Sequence, residues 1–162
     1  MPTDVRYNGR GRCSVSLLTI KRRANRMLRA LRRDDKQLSV LLCDDPFIRR
    51  LNRRYRGIDR VTDVLSFSMR EGPPLPFSSS LLGDVVISIP RATRQAAARR
   101  AAVLDEVTLL LAHGILHLLG VDHATPTEQV RMTRAAARLV QRAAAGGNVG
   151  TRRGKNLYRR DR

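Results

Sequence analysis

The chain's only three histidines, His113, His117 and His123, all fall within the eleven-residue run HGILHLLGVDH. His113 and His117 are four apart, so on a helix they project from one side about a turn apart, as two imidazoles sharing a tetrahedral ion must. A straight helix would carry His123 about 9 Å further along and roughly 120° around, out of reach of such an ion. Gly120 removes the difficulty, because a glycine in the left-handed conformation ends the helix after Leu119 and lets residues 121–123 fold back. The neighbours Leu110, Leu111, Ile115, Leu116 and Leu118 are apolar. Burying two imidazoles among them is costly unless something binds both. The run therefore predicts one zinc ion held by His113, His117 and His123, with a fourth position open to activate water or grip a phosphate oxygen.

The spacing, glycine included, is similar to that of the metzincin zinc proteases, H-E-x-x-H-x-x-G-x-x-H. Position 114 is glycine where those enzymes place the general-base glutamate. A helix glycine costs about 1 kcal/mol relative to alanine, which suggests a close approach of substrate or backbone there. Charge points to another substrate. The chain carries 32 Lys+Arg against 14 Asp+Glu, a formal +18, and 29 of the basic residues are arginine. The last 18 residues hold six basic side chains and one acidic one, which leaves +13 on residues 1–144. A field of that size favours a polyanion such as RNA, because each neutralised phosphate releases condensed counterions. Cys13 and Cys43 form no CxxC pair and suit small apolar positions on or beside strands rather than metal ligation.

The elements that must position these residues follow from periodicity. Alternation predicts strands over 13–18, 37–45, 62–69 and 81–89. Helical spacing predicts an amphipathic helix from Ile20 and a second from Pro46, capped by Asp44 or Asp45 and ended by Gly57. An Ala/Arg-rich helix over 91–102 is followed by a strongly apolar one from Leu104 to Leu119, and Pro126 and Thr127 open a last helix. Three prolines make 71–80 a loop. The division is one domain over 1–145 and a basic, disordered tail over 146–162. The N-terminus shows no apolar run with a cleavage site and no stretch is long enough to span a bilayer, so the expectation is a cytoplasmic protein without membrane contact.

HGILHLLGVDH, LNRRYRGIDRVTDVLSF (51–67) and LLGDVVIS (81–88) together resemble the YbeY endoribonuclease family, the ribosomal RNA maturation factors, over residues 38–125. The resemblance implies an α+β, zincin-like fold in which helices pack a small mixed sheet and the metal sits at the end of a buried helix. It implies zinc on the three matched histidines and hydrolysis of single-stranded RNA in ribosomal RNA maturation and ribosome quality control. The small ribosomal subunit is the implied partner, and no small-molecule cofactor is implied. The family's Y-R-G arginine falls on Arg56, which resembles the residue that meets the phosphate, a role suited to a bidentate guanidinium. Asp63 and Asp122, inside the matched blocks, are the carboxylates that could accept from an imidazole N–H or act as base. Val61 stands where the family usually has proline. Two other readings remain open on the residues alone: a metalloendopeptidase, and a non-catalytic ribosome-binding factor with structural zinc.

Overall fold

In a computed structural model of the chain, residues 3–69, 80–121 and 123–145 are described. The expected loop over 71–80 lies almost wholly outside them, as do Asp122 and the tail after 145. Among the described residues, four strands are β1 (Thr3–Asn8), β2 (Gln37–Cys43), β3 (Val64–Ser68) and β4 (Leu81–Ser88). The helices are α1 (Leu17–Ala30), α2 (Asp45–Arg56), α3 (Ile89–Arg99), α4 (Val103–Leu118) and α5 (Pro126–Ala145).

The strands form one mixed sheet in the order β1-β2-β4-β3, with β1, β2 and β4 parallel and β3 antiparallel to β4. Period-two alternation sends β2 and β4 side chains to opposite faces. Leu38, Val40, Leu42, Val85 and Ile87 join the main core with Ile20 and Met27 of α1, Leu111 and Ile115 of α4, and Met132 and Ala136 of α5. On the other face Cys43, Leu65 and Val86 pack against Ile48 of α2. The α+β class and the small mixed sheet agree with the sequence reading.

One strand was misplaced. Residues 13–18 do not form a strand: Ser16 caps α1 by accepting from Thr19 N, and Leu17 is already helical. The short alternation at 13–18 is a cap followed by the first two residues of a helix, Leu17 half-buried and Leu18 exposed, and the true first strand is Thr3–Asn8, whose charged alternate residues face solvent. Pro90 opens α3 rather than merely closing β4, because proline is pre-set for the first helical turn. Thr125 and Glu128 form a reciprocal capping box for α5: Glu128 N donates to Thr125 Oγ1, and Thr125 N to the Glu128 carboxylate.

Helix α4 lies so close to β4 that a Cβ at Gly114 would sit 2.6 Å from Val85 Cγ1. The near neighbour expected of this glycine is thus the sheet. Gly114→Ala should lower stability by about 1–3 kcal/mol through overpacking, despite alanine's better helix propensity. Trimming the neighbour with Val85→Ala should relieve it, so that in urea melts the double variant is less destabilised than the sum of the two single variants. Strict additivity would show that the contact does not limit the packing.

Candidate metal and phosphate site

The end of α4 is built by a paired hydrogen-bond closure. Gly120, at φ +84°, donates its N–H to the His117 carbonyl, and Val121 N–H reaches back to the Leu116 carbonyl. These are the two bonds of a Schellman motif, which only a left-handed residue permits without strain. The turn expected at Gly120 is present. His123 comes back beside His117, their rings meeting edge to face with centroids 4.7 Å apart. His113, one turn earlier on α4, borders the same cavity of ≈ 350 Å³ as His117 and His123.

Asp63 lies on the wall of this cavity. Its Oδ1 accepts from Val64 N at 2.7 Å and its Oδ2 from Gln95 Nε2 at 3.1 Å, so the carboxylate both starts β3 and is held in a fixed orientation. Burial lowers the His113 pKa below its ordinary value, a shift that the charge of Asp63 opposes. Near neutrality His113 is therefore the uncharged imidazole, which is the form that binds a metal. Among the described residues no three His, Cys, Asp or Glu side chains converge into a finished coordination sphere. The donor set nevertheless fits a three-imidazole site: two rings already touch, the third faces the same space in its neutral form, and the cavity leaves room for a fourth ligand.

Arg56 ends α2, where Gly57 takes the left-handed cap position. Its Nη2 donates to the Ser66 carbonyl at 2.6 Å, and its guanidinium lies 5.3 Å from the Phe67 ring centroid. It borders a second recess that shares His117 with the first cavity. The structure thus gathers His113, His117, His123 and Asp63 in one cavity and puts Arg56 in the adjoining one. Ser66 and Ser68 hydroxyls donate to the carbonyls of Gly114 and Leu118, which ties β3 to the last turns of α4. Asp122 lies outside the described residues.

Sequence reading missed Gln95, Arg99 and Glu106, which share the cavity with the histidines. Glu106 is 3% exposed, with one carboxylate oxygen 3.7 Å from Arg99 Nη1 and the other buried without a hydrogen-bond partner. A signal for Glu106 was available. Residues 106, 113 and 117, seven and four apart, form a polar stripe along one flank of an otherwise apolar helix. Gln95 and Arg99 are likewise one turn apart on α3.

Gly120→Ala should cost about 1–2 kcal/mol by forcing a side chain into the left-handed conformation, and should weaken retention of added zinc because His123 follows the turn. Gly57→Ala, the same change at the end of α2, should cost stability without loss of zinc. Equilibrium dialysis of both variants separates the effects, and equal zinc affinity in the two would break the link between Gly120 and His123.

A family model described as endoribonuclease YbeY matches residues 8–144. An endoribonuclease YbeY of Anaeromyxobacter sp. (strain Fw109-5) is 49% identical over 141 residues, which is 87% of this chain and 69% of that relative. Another, from Desulforamulus reducens, is 45% identical over 111 residues, 67% of this chain and 72% of its own. The solution structure of a Thermotoga maritima protein shares the fold with a TM-score of 0.59 at 24% identity, covering 94% of this chain and 100% of that one. The matched stretch runs from the end of β1 to the end of α5 and includes every residue assigned to the cavity, so the chain belongs to the endoribonuclease YbeY family.

Proposed function

We propose that this protein is a zinc-dependent endoribonuclease that cleaves single-stranded RNA during ribosomal RNA maturation and ribosome quality control, acting in the cytoplasm on the small ribosomal subunit. The observation that carries this reading is the sharing of His117 between two recesses, one holding His113, His123 and Asp63 and the other holding Arg56. A phosphodiester lying across His117 meets imidazole donors on one side and a guanidinium on the other.

His113, His117 and His123 would hold the metal, which supplies Lewis acidity toward the phosphate. Arg56 is oriented by the Ser66 carbonyl and the Phe67 ring, so its charge is in place before negative charge develops on the phosphoryl oxygens. Asp63, fixed by Val64 N–H and Gln95, is the carboxylate available on the wall to take a proton from the attacking hydroxyl. The overall positive charge draws RNA to the surface.

A peptidase reading fits less well. Asp63 O accepts from Ser88 N and Met69 N donates to Leu82 O, so the odd-numbered residues of β3 face β4 and Ser66 presents its carbonyl at the free edge. A peptide lying along that edge needs the carbonyl, and Arg56 takes it. The edge is thus furnished for a phosphate rather than for strand addition.

His117→Ala should lose bound zinc and RNA cleavage together, whereas Arg56→Ala should keep zinc and lose about 100- to 1,000-fold in kcat. Casein should stay intact throughout. Zinc analysis beside cleavage of a single-stranded RNA oligonucleotide tests this, and full ribonuclease activity in zinc-free His117→Ala would refute it. A protein that binds zinc and ribosomes yet cuts no RNA would instead favour a structural role for the metal.

A further inference from the structure

Arg99 lines the cavity of the histidines, whereas Arg56 lines the adjoining recess that shares His117 with it. Arg99 ends α3 one turn after Gln95, and both residues face the cavity that holds His113, His117 and His123. Its side chain is 60% exposed, and among the described residues its ion pair is the one with Glu106. That contact, at 3.7 Å, is about 1 Å longer than a charge-assisted hydrogen bond, so the guanidinium is attracted to Glu106 without being locked by it. Glu106 itself cannot follow a ligand, being buried in α4 at 3% exposure. The pair is therefore a fixed anion under a mobile cation at the mouth of the cavity.

From this arrangement we infer that Arg99 is a second phosphate-binding residue, holding the nucleotide next to the scissile one. The backbone of a single RNA strand then runs from the Arg56 recess, across His117, into the cavity walled by Asp63 and Arg99. Arg99 binds substrate and takes no part in bond breaking. Its five N–H donors serve a phosphate bidentately while Glu106 keeps the side chain from turning out to solvent. An ordinary surface ion pair would leave the substrate indifferent to Arg99.

The inference rests on the reading of this site as an RNA hydrolase, and its test uses the zinc-loaded protein with a single-stranded RNA oligonucleotide over a salt series. Arg99→Ala should raise KM roughly tenfold with kcat and zinc content unchanged, as loss of one charged phosphate contact does. The slope of log(kcat/KM) against log[salt] should become shallower by about 0.7, the value for one phosphate on a single strand. Arg99→Lys should restore the slope but only part of the KM. Arg29→Ala, an exposed arginine of α1, should change neither.

Should removal of Arg99 leave Glu106 too costly to bury, the double variant Arg99→Ala, Glu106→Gln removes that charge and must show the same loss of slope. Wild-type KM and slope in the Arg99 variants, or an equal change in Arg29→Ala, would overturn this assignment while leaving the endoribonuclease reading intact. Absence of RNA cleavage by the wild-type protein would overturn both.

Discussion

The close seating of α4 on β4 at Gly114 is the constraint on which the site depends. A helix that can approach no nearer than a Cβ allows is free to roll, and its side chains turn with it. Here the missing Cβ lets Val85 fill the gap, while Ser66 and Ser68 hold the carbonyls of Gly114 and Leu118 from the edge strand. The roll of the helix is fixed by these contacts. Val107, Leu111, Ile115 and Leu118 go to the core, and the flank bearing Glu106, His113 and His117 goes to the cavity. The Schellman closure then acts on a helix whose orientation is already set, so that turning the chain at Gly120 places His123 against His117.

Charge is distributed against the average of the chain. The protein carries +18 overall, yet the wall around the imidazoles presents two carboxylates, Asp63 and Glu106, with Arg99 on the same wall beside Glu106 and Arg56 in the adjoining recess. Burial keeps His113 neutral, so that imidazole adds no positive charge of its own. A divalent cation held by the imidazoles would add positive charge there and leave the carboxylates as partners for protons and imidazoles. Selection for the metal and selection for the polyanion are thus two consequences of one charge pattern.

The parts legible in the sequence were those in which local chemistry decides the structure. Gly57 and Gly120 end helices through positive φ, and Asp44 with Pro46 begins one, because these residues have few other uses at such positions. The histidine spacing pointed to a shared cavity because two imidazoles on an apolar helix, with a third just beyond its end, have no ordinary packing explanation. What stayed hidden was tertiary. Nothing local says that the side of α3 bearing Gln95 and Arg99 faces α4, and β1 was overlooked because an edge strand with exposed alternate residues looks like a polar terminus. The alternation at 13–18 misled because six residues cannot distinguish a strand from a cap followed by one turn of an amphipathic helix.

Glycine at position 114 also explains why a histidine spacing shared with peptidases serves a different reaction. In this packing a Cβ at 114 runs into the methyl groups of Val85 and the Ser66 hydroxyl, so a glutamate there would have to push the sheet away from α4. The carboxylate of Asp63 occupies the cavity wall from β3, held at both oxygens by neutral donors that fix its direction without cancelling its charge. Asp63, the base proposed above, thus lies at the start of the edge strand that also carries Ser66, which Arg56 grips. In the proposed reaction the base and the phosphate-binding arginine are therefore positioned by one strand, and any displacement of β3 relative to α4 moves both together against the histidines.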